Sequence, residues 1–271
     1  MIPTSRNLEA FLLHRAGLKE HASDPAVVII REAVELNRTG GRLVSHFGES
    51  EFRAIVGFID MRGFSVLSAG KTPTQVRDLA APFVRCVIDV ATKRDCFVDK
   101  TIGDEVMVVR PLTSKDAVET TLVPCTPMPY WWVLEMAADI ALLLREEGQK
   151  TFFSAGFCLG DLILAQIGSV EYTEWTVYGN SVNAAKRLQC FEINDDSEER
   201  KDINRVSLGA IGAGHEMIGE LQGCKEKLRD PRLGPFLPQR IGVRTECLRG
   251  VGAVSFLTAE FDTVNPNEWT R

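Results

Sequence analysis

The chain has 271 residues, 45% of them hydrophobic, enough to bury the core of one large domain or of one domain with an extension, which excludes disorder as the default state. Its 37 acidic and 31 basic residues leave a formal net charge of −6, so no general attraction draws it to nucleic acid or to an anionic membrane, and any phosphate must be held by a local site. Seven cysteines (Cys86, Cys96, Cys125, Cys158, Cys190, Cys224 and Cys247) are odd in number and never spaced Cys-x-x-Cys, which argues against a zinc ribbon or a disulfide framework and for a reducing, cytoplasmic setting.

From about Asn7 to Glu35, Leu8-Phe11-Leu12 and Val27-Val28-Ile30-Ala33-Val34 recur at helical spacing on either side of a Ser23-Asp24-Pro25 turn. Residues 1–50 are therefore expected to form an N-terminal helical extension, with the main domain over 51–271. Phe52 to Ile59 is an apolar run suited to a strand buried on both faces. Val76, Leu79, Ala80, Phe83, Val84, Val87, Ile88 and Ala91 then define a helix, with Pro82 expected to kink it. Cys96-Phe97-Val98 and Val106 to Val109 flank Lys100-Thr-Ile-Gly-Asp104, the pattern of two antiparallel strands joined by a glycine turn that presents Asp104. Residues 111–129 read as a loop insertion and Trp131 to Leu144 as a core helix. Phe152 to Ile167 gives two apolar runs around Gly160-Asp161, a hairpin signal, and Val182 to Phe191 a helix entered through Gly179-Asn180-Ser181. A charged loop over 194–201, short strands near Arg205–Leu208 and Val254–Thr258, and a Pro-rich loop over 230–239 complete the chain. The N-terminus has no basic segment leading an apolar run, and no stretch approaches the ~20 apolar residues of a membrane helix, so a soluble protein is expected.

Three segments carry chemistry. In Phe58-Ile-Asp60-Met-Arg-Gly63-Phe64-Ser65 a carboxylate ends a buried strand and a glycine turn follows, placing an acid and backbone N–H groups at one rim. Lys100-Thr-Ile-Gly-Asp104 offers a second carboxylate on a hairpin, and two such carboxylates can hold a pair of divalent metals roughly 4 Å apart, as in-line displacement at phosphorus requires. Asn183 and Arg187 stand four residues apart on one helix face, so an amide and a guanidinium point the same way. Taken singly, a strand-end Asp is more often a turn residue, and an exposed Arg is more often a surface ion pair.

In this order the segments resemble the catalytic domain of class III adenylate and guanylate cyclases. The resemblance rests on Phe-Ile-Asp-Met-Arg-Gly-Phe-Ser, Lys-Thr-Ile-Gly-Asp-Glu-Val-Met, Gly156-Phe-Cys-Leu-Gly160 with Gln166-Ile-Gly168, and Tyr178-Gly-Asn-Ser-Val-Asn-Ala-Ala-Lys-Arg-Leu, and runs from about Phe52 to Leu188, more faintly to Phe256. It implies an α+β fold: a ferredoxin-like βαββαβ core, an antiparallel-rich sheet with helices packed on it. It also implies conversion of a nucleoside triphosphate to a 3′,5′-cyclic nucleotide and pyrophosphate, with two Mg2+ or Mn2+ ions as cofactors. Asp60 and Asp104 would hold the metals, assisted by the Met61 carbonyl. The turn Arg62, Gly63, Phe64, Ser65 would bind the triphosphate through N–H groups, Asn183 would position the ribose, and Arg187 would meet charge developing on the α-phosphate. A chain carrying both sets implies a head-to-tail homodimer with shared active sites.

Lys100 matches the base-reading Lys of adenylate cyclases, Thr176 stands at the second base position, and Phe58 belongs to the same pocket. Lys100 only donates whereas Thr176 can donate or accept, so UTP is suited at least as well as ATP, and GTP, lacking an acidic partner, fits less well. The make-up resembles bacterial Pycsar-type pyrimidine cyclases, which implies UTP as substrate, cyclic UMP acting on a separate effector in antiphage defence, and cyclic CMP or cyclic AMP as alternatives. Near the C-terminus either Arg249 or Val251 takes the place of the family's phosphate-binding Lys. The competitor from another class is an inactive cyclase-like dimerisation module, which would be expected to lack one of the metal, Asn or Arg residues.

Overall fold

The computed structural model describes residues 52–94, 96–112, 128–168, 173–191, 203–211 and 240–261. The expected N-terminal helices and the loops over 113–127, 194–201 and 230–239 lie outside these residues. Among the described residues no helix is long and apolar enough to cross a membrane.

β1 (Phe52–Met61) leads through α1 (Phe64–Ser68) into α2 (Pro73–Lys93). Thr72 opens α2 with a capping box: its hydroxyl accepts from the Gln75 N–H while the Gln75 amide oxygen accepts from the Thr72 N–H, and Pro73 occupies the first turn, where no N–H is needed. The helix runs on through Pro82. β2 (Phe97–Ile102) and β3 (Glu105–Pro111) form the expected hairpin, α3 (Met128–Glu146) follows, and β4 (Phe153–Gly168) closes the βαββαβ unit. β5 (Thr173–Tyr178), α4 (Asn180–Gln189), β6 (Asn204–Ala210), β7 (Arg240–Leu248) and β8 (Gly252–Phe261) complete it.

The strands form one sheet in the order β2-β3-β1-β4-β6-β8-β7, with β5 paired to β4 off this path. Within β2-β3-β1-β4 every neighbour is antiparallel, the ferredoxin-like arrangement expected from the sequence, and β6 joins β4 in parallel. Alternation sorts the side chains by face. Ile55, Ile59, Val106, Val108, Phe153, Ala155 and Phe157 meet α2 and α3 in one core, where Phe157 packs edge-on against Trp132. Ala54, Val56, Phe58, Met107, Val109 and Cys158 meet Ala184, Ala185 and Leu188 of α4 in the other. A sheet covered on both faces explains the unbroken apolar run of β1.

Two expectations need correction. Gly160-Asp161 is no hairpin: β4 is a single strand of 16 residues. Its glycines serve packing, since a Cβ on Gly156 would lie 2.0 Å from the Gln189 nitrogen and 2.2 Å from the Ala185 oxygen, and one on Gly160 would lie 2.8 Å from the Ser181 Cβ. α4 lies directly on the strand, and only glycine admits it. The second correction adds strands: β5 and β7 are both present, and the expected Arg205–Leu208 and Val254–Thr258 strands fall within β6 and β8.

Candidate active site

The even residues of β1 face α4, so Asp60 emerges on the same side as Ala54, Val56 and Phe58, while Met61 turns its side chain into the opposite core. Beside it, Gly103 adopts φ +66°, which glycine tolerates without strain, and the pairing Ile102↔Glu105 leaves a two-residue turn. Because β3 pairs with β1 at Ile59↔Val106, this turn delivers Asp104 to Asp60. Burial, then the charge and hydrogen bond of Asp104, then the charge of Glu105, push the Asp60 carboxyl up to about 7, with Lys186 opposing.

α4 reaches into this cluster with residues that sequence reasoning passed over. The Gln189 amide donates to Asp60 Oδ2 at 3.1 Å and to Ser154 Oγ at 2.9 Å, and its oxygen accepts from Lys186 Nζ at 3.1 Å. Lys186 also pairs with Glu105 and stands 5.7 Å from the ring centre of buried Phe58. A Glu beside a metal-type Asp, and Lys and Gln three apart on a helix otherwise packed by alanines, are the signals that could have found them.

The donor set fits divalent cations: Asp60 and Asp104 press hard oxygens together, and a cation would relieve their mutual repulsion. Among the described residues no cluster of three or more His, Cys, Asp or Glu forms a complete cage.

The glycine turn is formed as expected in part. Gly63 has φ +73° and caps α1, with Val66 and Leu67 donating back to its carbonyl. The Arg62 N–H, expected to face the triphosphate, instead donates to the Phe152 carbonyl at 2.9 Å because Arg62 continues the β1–β4 pairing, and its guanidinium reaches the Ile203 carbonyl at 3.4 Å. The helix-opening N–H groups at this rim are those of Phe64, which is half-buried, and Ser65, which is exposed.

Lys100 and Thr176 come together through a residue the sequence did not single out. The Thr176 hydroxyl donates to Asp99 Oδ2 at 2.8 Å, the Val177 N–H donates to Asp99 Oδ1 at 3.3 Å, and Lys100 Nζ lies 3.5 Å from Asp99 Oδ2. Burial pushes the Asp99 carboxyl above its ordinary value, with Thr176, Lys100 and Val177 opposing. Its one sequence signal is an Asp directly after the apolar pair Phe97-Val98 inside a strand, a residue type depleted from strands.

Asn183 and Arg187 are exposed on α4, whereas Lys186 and Gln189 of the same helix turn to their own chain's carboxylates. The structure thus keeps the Asn/Arg pair apart from the Asp60–Asp104 pair of the same chain. Arg249 is exposed in the β7–β8 turn, and Val251 packs against the α4-side core.

Comparison with solved structures shows that the sheet and its helices form a cyclase-type fold. The guanylate cyclase domain of RhGC from Catenaria anguillulae, solved with GTP, is 14% identical and aligns over 79% of this chain and 99% of its own, with a TM-score of 0.52. A bacterial light-regulated adenylyl cyclase is 16% identical over 86% of this chain and 60% of its own, with a TM-score of 0.54. Residues 50–195, more than half the chain, match the family model for the adenylate and guanylate cyclase catalytic domain, and the chain belongs to that family. It is also 29% identical over 173 residues to the uncharacterized protein Rv1318c of Mycobacterium tuberculosis, a match covering 64% of this chain and 30% of that protein.

Proposed function

We propose that the protein is a two-metal nucleotidyl cyclase that converts a nucleoside triphosphate to its 3′,5′-cyclic monophosphate and pyrophosphate, with UTP as the first substrate to test, and CTP and ATP as alternatives. The observation that carries this reading is the Asp60–Asp104 pair, two carboxylates held together in a family whose fold this chain shares. Bound divalent cations would supply charge neutralisation at the phosphates and acidify the 3′ hydroxyl. Asp60 and Asp104 would hold the ions, while the Gln189 amide fixes the orientation of the Asp60 carboxylate. The N–H groups of Gly63, Phe64 and Ser65 face the triphosphate, and Arg249 or the position of Val251 stands at its far end. Asn183 orients the ribose and Arg187 stabilises charge on the α-phosphate.

The second half of each centre comes from a second copy. Its support is twofold: Asn183 and Arg187 are exposed and turned from their own carboxylate pair, and Val66, Leu67, Ile102 and Tyr178 expose apolar surface, Val66 to 80%. Lys100, Thr176 and Phe58 serve the base. A uridylate cyclase feeding a separate effector in antiphage signalling rests on the Thr176 substitution and on the resemblance to pyrimidine cyclases noted above.

Purified protein incubated with Mn2+ and each of ATP, GTP, CTP and UTP, with products identified by mass spectrometry, tests the reading. Cyclic UMP or cyclic CMP is expected; cyclic AMP would move the substrate to adenine, and no cyclic product from any nucleotide would sink the cyclase reading.

A further inference from the structure

The structure assigns Asp99 as a positioning residue that fixes the hydrogen-bond polarity of the base pocket, an inference that rests on the cyclase reading above. Its location follows from a defect in the sheet. β2 pairs with β3 as Val98↔Val108 and then Lys100↔Met107, so Asp99 is the extra residue of a β-bulge. A bulge re-aims a side chain, and this one sends the carboxylate to β5, which among the described strands pairs with β4 alone. The Asp99 side chain has no exposed surface, so it cannot touch a nucleotide and acts only through what it holds.

What it holds is the pair expected to read the base. A carboxylate accepts and does not donate, so the hydroxyl proton of Thr176 is committed to Asp99 Oδ2. Thr176, two-way by its chemistry, is thereby made an acceptor towards the pocket. Lys100, drawn to the same carboxylate at 3.5 Å, has only protons to offer. The pocket therefore presents one fixed donor and one fixed acceptor. Adenine, cytosine and uracil each offer an adjacent acceptor and donor that satisfy both. Past that pair cytosine and uracil have only a carbonyl, O2, left over, the better tolerated kind of unpaired group, whereas guanine, with O6 on the donor and N1–H on the acceptor, leaves its amino donor unpaired, a penalty that sites with fixed polarity convert into discrimination. The substrate class is a base whose edge carries one donor beside one acceptor.

With Asp99→Asn the amide can donate to Thr176, its hydroxyl proton is released, and the polarity is lost. The test measures kcat/KM for all four nucleotides, and their relative affinities by displacement of a fluorescent nucleotide, for wild type, Asp99→Asn, Thr176→Val, Thr176→Ser and the Asp99→Asn/Thr176→Val double variant. Expected are exclusion of GTP by the wild type and an at least about tenfold collapse of that exclusion in Asp99→Asn. Thr176→Val should show the same collapse, the double variant no more than either single, and Thr176→Ser, which keeps the hydroxyl, the wild-type order. Should Asp99→Asn fail to fold, the Val and Ser variants, which keep the carboxylate, decide the matter. An unchanged order in Asp99→Asn and Thr176→Val, or additive losses in the double variant, overturns the role of Asp99 while leaving the cyclase reading intact. Absence of cyclic product from the wild type overturns the cyclase reading, and an unchanged order of nucleotide affinities across the variants overturns the role of Asp99 independently of turnover.

Discussion

The two faces of the sheet use side chains of different size for different ends. Among the described residues, eight of the nine largest fully buried side chains, Phe83, Phe153, Phe157, Ile55, Ile59, Met136, Ile140 and Leu144, belong to the core on the α2 and α3 side, and Phe256 alone belongs to the α4 side. Against α4 the strands offer Ala54, Val56, Gly156 and Gly160 to Ala184 and Ala185, and the helix comes close enough for Gln189 and Lys186 to reach Asp60 and Glu105. One face gains stability from volume; the other sacrifices volume to bring polar groups within hydrogen-bond distance. A core of large side chains and a site of short ones can share one sheet because alternation keeps them apart.

Breaking the chemical face at its centre should have the largest effect. Asp60→Ala and Asp104→Ala each remove a metal carboxylate without touching the bulky core, so cyclase turnover is expected to fall below detection while size-exclusion chromatography shows an unchanged assembly. Mixing Asp60→Ala chains with Arg187→Ala chains should restore turnover through one intact centre per heterodimer. A verified heterodimer without activity would count against the shared site. On the bulky face, Phe157→Ala removes a ring that fills the space above Gly57, and denaturant unfolding should show a loss of about 3–5 kcal/mol with little change in KM. Gly156→Ala sharpens the contrast: the added methyl meets the α4 backbone and displaces the helix, so stability should fall by about 3 kcal/mol or more, and kcat should fall out of proportion because Gln189 moves with the helix. Equal proportional losses of activity in Phe157→Ala and Gly156→Ala would erase the distinction between the faces.

What the sequence made legible was local. The run through Ile59 to Asp60, the Gly103 turn and the helical spacing of Asn183 and Arg187 each lie within a few residues, and the elements stand where their patterns put them. Gly160 misled because a glycine that admits a helix onto a strand looks in sequence like one that makes a turn. β7 escaped notice because Arg244 to Cys247 are exposed and show no apolar alternation. Asp99, Glu105, Lys186 and Gln189 left only faint local signals for another reason: their partners lie 77 residues away for Asp99 and Thr176, 81 for Glu105 and Lys186, and 129 for Asp60 and Gln189. No local window contains both members of such a pair.

Those same separations order events in time. The β2–β3 hairpin and the capped α2 close over short stretches of chain, whereas the bond from Gln189 to Asp60 must wait for a loop of more than a hundred residues to close, at an entropic cost that only the assembled sheet can offset. The hairpin and α2 can therefore form early, and the acidic centre is completed only when α4 docks onto Gly156 and Gly160. A chain arrested before that step would hold its fold's bulk and none of its chemistry, so that recovery of activity during refolding lags behind the burial of tryptophan.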